Sequence, residues 1–131
     1  MRYAIHHVHI KSRDPGSTAD WLAGAFGFHA VSDETRAFGD RFIRLRDGAG
    51  VLVMVSGPRA GEALAPACTR SQLGLDHVGF RTGDLARDLG RLTASGATVV
   101  EGPLDMAAGI KAVLLVVPGD VRVELIEGPA I

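Results

Sequence analysis

Hydrophobic and polar residues alternate over several short stretches, and two longer stretches carry apolar residues every three or four positions. Alternation is the signature of a strand with one covered face, and the longer spacing that of a helix with one buried stripe. The pattern predicts a strand over 5–11. A helix follows, opened by Asp14-Pro15, with Trp21, Leu22, Ala25 and Phe26 on one face and Gly27 as its stop. Strands over 28–32, 41–46 and 51–56 come next. Then the order recurs: a strand over 75–81, a helix opened by Asp84 with Leu85, Leu89 and Leu92 aligned and Gly96 as its end, and strands over 97–101, 110–117 and 121–126. Gly48-Ala49-Gly50 and Pro118-Gly119-Asp120 supply turns.

The recurrence is also visible in residue identity. Ile5-His6-His7-Val8-His9-Ile10 aligns with Leu75-Asp76-His77-Val78-Gly79-Phe80, Gly27 to Val31 with Gly96 to Val100, and Gly50 to Val55 with Asp120 to Leu125, at offsets of 70, 69 and 70. The expected organisation is one compact domain with a first βαβββ module over 1–56, a connector over 57–74 and a second βαβββ module over 75–131. The connector holds Pro58, Gly61, Pro66 and Gly74, with a short helical turn expected near 62–65. A unit of about 60 residues has a marginal core on its own. The expected fold is therefore α+β, with the two modules pairing into a curved mixed sheet that encloses a metal cleft.

Composition narrows the function classes. The chain has 131 residues, 47% hydrophobic and 22% charged, which speaks against intrinsic disorder. Fourteen Lys and Arg against fifteen Asp and Glu leave a net charge of -1, without the basic excess that nucleic-acid binding needs. The longest apolar run, Ala112 to Val117, is far shorter than the roughly 20 residues of a membrane span. His6 and His7 interrupt the N-terminus before a signal-like stretch develops, so a cytoplasmic protein is expected, with no membrane and no nucleic acid among its partners. Cys68 is the single cysteine and excludes an internal disulfide.

The strand period places His7 and His9 on one face of the first strand, opposite His6, Val8 and Ile10. On its repeat, His77 shares a face with Gly79, opposite Asp76. Arg122, Glu124 and Ile126 share a face of the last strand. Overlaying the repeats makes His7 and His77 equivalent, and Met54 the counterpart of Glu124. Two imidazoles and one carboxylate are a ligand set suited to a divalent ion with open positions. The bland alternative is that His7, His77 and Glu124 only hydrogen-bond across a wet cleft. His9 is a candidate general base, an alternative ligand, or a polar lining residue. Arg122 is the foremost candidate for holding an anionic substrate group, ahead of Arg41, Arg44 and Arg46. Met54 reads equally as an apolar wall of the substrate site or as core. His6 and His29 are assigned no role, and Cys68 reads as a bystander. The stretch 102–109 is either a flap or a plain loop.

The chain resembles the vicinal oxygen chelate superfamily, which contains glyoxalases, bleomycin resistance proteins and extradiol dioxygenases. The resemblance rests on Ile5 to Ile10 followed by Asp14-Pro15, on Phe26-Gly27-Phe28, on Gly74 to Phe80, and on Val121 to Glu127. It implies metal ligands on the first and last strand of each module, hence at His7, Met54, His77 and Glu124. Met54 departs from the carboxylate that glyoxalase I enzymes carry there. The remaining His7, His77 and Glu124 are similar to the iron site of extradiol dioxygenases. The resemblance implies a divalent metal ion (Fe, Mn, Zn or Ni) and a homodimer. It further implies lyase or isomerase chemistry on a small molecule that chelates the ion through two adjacent oxygens. Ring cleavage by Fe(II) and metal-free antibiotic binding are the alternatives.

Overall fold

The computed structural model describes residues 1–129; Ala130 and Ile131, the end of the expected second module, lie outside the described residues. The chain divides into two compact units, Met1–Ala65 and Pro66–Ile131. The first holds β1 (His7–Lys11), α1 (Pro15–Phe26), β2 (His29–Thr35), β3 (Arg41–Arg46) and β4 (Leu52–Ser56). The second holds β5 (Val78–Arg81), α2 (Leu85–Ala94), β6 (Thr98–Asp105), β7 (Lys111–Val117) and β8 (Val121–Glu127), with a single 3-10 turn at Ala107–Gly109. Each unit is thus a βαβββ module. Its four strands form one open mixed sheet, in the order β1-β4-β3-β2 or β5-β8-β7-β6. The first strand runs parallel to the last, and the remaining pairs are antiparallel.

The same local bonds build both units at an offset of 70. Ser12 N–H donates to Ser56 O at 2.8 Å, and Thr82 N–H to Ile126 O at 2.9 Å. Asp14 caps α1 by accepting from Ser17 N–H, and Asp84 caps α2 by accepting from Arg87 N–H. The Asp14 and Asp84 amides donate back to Ser12 Oγ and Thr82 Oγ1. Pro15 fits the first helical turn, where its missing N–H would be unpaired in any residue. Gly27 ends α1 in the left-handed conformation at φ 70°, which a Cβ would strain.

Alternation along the strands separates two faces. Val53, Val55, Ile43 and Leu45 are buried, together with Leu22 and Ala25 of α1. In the second unit Val113, Leu115, Val123 and Leu125 are buried with Leu85 and Leu92 of α2. Trp21, Phe26 and Leu89 are only half-buried. Each sheet's other face carries the residues of chemical interest.

Several boundaries differ from the pattern. β1 begins at His7, opposite Leu52 where β4 starts, and the β5 ladder begins at Val78 opposite Val123; Ile5 and Leu75 are exposed. β2 runs on to Thr35 because Asp33 and Glu34 form cross-strand pairs with Arg41 and Arg44. β6 continues to Asp105 through two irregularities of register and a cis Gly102–Pro103 peptide. Pro103 is tolerated because β6 is an edge strand. The stretch expected as a flap or loop is therefore half strand. No helix forms over 62–65; a turn closed by Glu62 N–H to Arg59 O precedes it.

Candidate functional site

In the second unit the register places Glu124 beside Gly79 of β5 and Leu114 of β7, on the face opposite the buried Val123 and Leu125. His77 stands just before β5. Its Nε2 lies 3.0 Å from Glu124 Oε2, with both side chains partly exposed. Its Nδ1 lies 2.7 Å from Asp76 Oδ2. Asp76 also accepts from Ser71 Oγ at 3.1 Å and from Arg122 Nη2 at 3.2 Å. Its carboxyl is lowered to about 2, chiefly by the His77 hydrogen bond and next by Arg122. It is therefore ionised at neutral pH and can only accept, so the proton on this bond belongs to Nδ1.

Arg122 is only 6% exposed, unusual for a surface-seeking side chain. Its Nε donates to Asp76 O, its Nη1 to Thr69 O at 2.9 Å, and its Nη2 to the Asp76 carboxylate. It shares a face with Glu124, as the alternation predicts, and all three of its guanidinium nitrogens are engaged.

In the first unit the equivalent row reads His9, Met54, Arg44, Ser32 across the sheet. His7 is exposed at the start of β1, with its Nδ1 2.9 Å from Nδ1 of His6. His6 was expected on the opposite face. It precedes the strand, so alternation does not govern it, and its ring sits edge-on to that of His7. His9 Nε2 lies 2.8 Å from the buried Ser56 Oγ, and its ring packs beside Phe42. Burial, followed by the positive neighbours Lys11, His7 and Arg36, pushes the His9 imidazole down from its ordinary value. Met54 is half-buried between His9 and Arg44. Arg44 donates to Glu34 and Ser32, Arg41 makes a two-pronged pair with Asp33, and Arg46 donates to Gly50 O.

His77 Nε2 and Glu124 Oε2 fit a divalent ion as a donor pair. Two cis ligands each about 2.1 Å from one ion stand about 3.0 Å apart. Asp76 does not join them, because it occupies the imidazole's other nitrogen. Among the described residues, neither unit by itself gathers three His, Cys, Asp or Glu side chains able to hold a metal ion.

Asp76 and Ser56 were not singled out in the sequence. Strand alternation run back to residue 75 turns Asp76 away from His77. With the strand starting at Val78, residues 76 and 77 are free of the pleat and their side chains meet.

A sequence profile described as the glyoxalase/bleomycin resistance protein/dioxygenase superfamily matches residues 6–114. Among solved structures, a glyoxalase family protein from Bacillus cereus superposes with a TM-score of 0.85 at 14% identity, covering 99% of this chain and 97% of that one. The fosfomycin resistance protein FosX from Listeria monocytogenes, solved with Mn(II) and sulfate, superposes at 0.74 with 11% identity, covering 98% and 95%. TioX from Micromonospora sp. ML1 superposes at 0.67 with 25% identity, covering 97% and 100%. No curated protein sequence matches the chain. Among the described residues no helix is long and apolar enough to cross a membrane.

Proposed function

Since the chain belongs to the glyoxalase/bleomycin resistance protein/dioxygenase superfamily, we propose that it is a metal-dependent lyase or isomerase acting on a small molecule with two adjacent oxygen functions. The observation that carries this reading is the convergence of His77 Nε2 and Glu124 Oε2 at 3.0 Å on the open face of their sheet. His7 is assigned as the third ligand, being the repeat counterpart of His77, and the active species is a homodimer. These three side chains would hold a divalent ion, which would supply Lewis acidity to the substrate oxygens. FosX, which shares the fold, was solved with Mn(II).

His9 acts as the base. Its lowered pKa keeps the imidazole neutral at neutral pH. With Nε2 engaged by Ser56, Nδ1 is the nitrogen left to take a proton from the substrate carbon next to its carbonyl. Met54 walls the substrate, and its thioether adds no charge there. This differs from a two-carboxylate glyoxalase I site, in which the position of Met54 would itself carry a base.

Ring cleavage is the second reading, favoured by the two-histidine, one-carboxylate donor set that Met54 leaves. Metal analysis of protein purified without added metal tests both readings against a metal-free binding protein. Oxygen uptake in the presence of catechols separates the two. Protein that retains no divalent ion, and gains none on addition of Mn²⁺ or Fe²⁺, would reject both enzymatic readings.

A further inference from the structure

The two histidines that the repeat makes equivalent are not held alike. His77 has a carboxylate on Nδ1, and that carboxylate is fixed by Ser71 and by a buried arginine that also grips Asp76 O and Thr69 O. At the matching positions of the first unit, 70 residues earlier, His6 stands for Asp76 and Leu52 for Arg122. His7 has only the His6 ring beside its Nδ1 and is otherwise exposed.

We infer that Asp76 and Arg122 are positioning residues that preset His77 as the anchoring ligand of the metal site, through a hydrogen bond that fixes which imidazole nitrogen is bare. This rests on the assignment of His77 and Glu124 as metal ligands. A ligating imidazole must offer an unprotonated nitrogen, and the partner of the other nitrogen decides which tautomer is present. Asp76 keeps the proton on Nδ1 and aims Nε2 at Glu124. Arg122 in turn prevents Asp76 from rotating, because its guanidinium holds both the carboxylate and the Asp76 carbonyl. His7 lacks both devices and is the adaptable ligand. Arg122 therefore serves the metal site by way of Asp76.

Asp76→Asn is the decisive variant, since it keeps the shape and removes the charge. The amide will turn its oxygen to Arg122 and its NH₂ to His77 Nδ1, which favours the tautomer with the proton on Nε2. Two measurements on the full chain read this out. In ¹⁵N-labelled, metal-stripped protein at pH 8, long-range ¹H–¹⁵N spectra should show the His77 proton on Nδ1, and Asp76→Asn should remove it from there. Titration with Co²⁺ alone should show about 10- to 100-fold weaker binding in Asp76→Asn. A merely structural role would leave the nitrogen pattern unchanged. A wild-type Nδ1 without a proton, or an Asp76→Asn variant that keeps both the pattern and the Co²⁺ affinity, overturns the inference. Glu124→Gln separates the two levels. If it binds Co²⁺ as wild type does, the metal assignment fails, and the spectra still decide the tautomer control.

Discussion

Replacing His77 by alanine should remove metal binding while leaving a folded protein, and the structure sets the scale of both effects. The side chain makes two contacts, to Asp76 at 2.7 Å and to Glu124 at 3.0 Å. Hydrogen bonds to charged groups contribute about 1.5–3 kcal/mol when buried. Here the imidazole keeps 33% of its side-chain surface in water, which screens the one hydrogen bond that its Nδ1 proton makes, to Asp76; the unprotonated Nε2 adds none to Glu124. Asp76 retains Ser71 and Arg122, and Glu124, 24% exposed, can turn to solvent. The stability cost should therefore be about 1 kcal/mol, a fall in Tm of about 4–8 °C for a module of this size. The effect on the metal is larger. Second-layer substitutions at metal sites typically cost 10- to 100-fold in affinity, so loss of a direct ligand should cost at least about 100-fold, or about 2.7 kcal/mol. Metal content by mass spectrometry and Mn²⁺ titration should collapse, with circular dichroism close to wild type. Unchanged metal content in a folded His77→Ala protein would refute the site.

Three other outcomes follow from the same geometry. Met54→Glu places a carboxylate at the repeat counterpart of Glu124, so it should raise Co²⁺ affinity by about tenfold or more if that position borders the ion; unchanged affinity would remove Met54 from the site. Leu92, with no exposed surface, is one of two buried residues of α2, so Leu92→Ala should lower the urea unfolding free energy by about 2–5 kcal/mol; a loss below about 1 kcal/mol would contradict the burial. Arg36 holds the buried Asp40 carboxyl below its ordinary range. The folded state then favours the ionised form, and the stability it contributes is present above the unfolded pKa and lost as pH falls through the folded one. Asp40→Asn should lower the urea midpoint at pH 7 and flatten the acid-side decline. An acid limb identical to wild type would contradict the linkage.

The fold was legible because duplication made each weak signal count twice. A period-two run such as Val51 to Val55 could be many things, but its recurrence as Val121 to Leu125, after a helix opened by a capping aspartate each time, fixes the order of elements. Face assignments within strands also carried through: Glu124 lies opposite Val123 and Leu125, which are buried. What the pattern missed sits where the pleat does not reach. Asp76 and His6 precede their strands, so alternation assigned them the wrong side. β2 and β6 outran their expected ends because charge pairing in the one and register irregularities in the other leave no periodic trace. The engagement of Arg122 was illegible for a related reason, since its partners are Thr69, in a connector whose path has no period, and Asp76, which precedes β5.

The two modules share a scaffold and differ in the row of residues that faces away from the helix. The first offers His9, Met54, Arg44 and Ser32, and the second Gly79, Glu124, Leu114 and Glu101. Hydrogen bonds that build the fold, such as Ser12 to Ser56 and Thr82 to Ile126, recur at the same offset. The side chains of this row do not, although nothing in the backbone requires the change. An imidazole recurs at 7 and 77, but the carboxylate of that row's last strand and the clamp on the imidazole occur only in the second module. A neutral imidazole beside a buried hydroxyl occurs only in the first. On the proposed reading, that division would give one copy the ligands that must be rigid and the other the group that must gain and lose a proton. Exchanging the rows, with Met54→Glu and Glu124→Met together, should therefore leave the protein folded, but should weaken Co²⁺ binding, because a carboxylate at 54 has no clamped imidazole beside it.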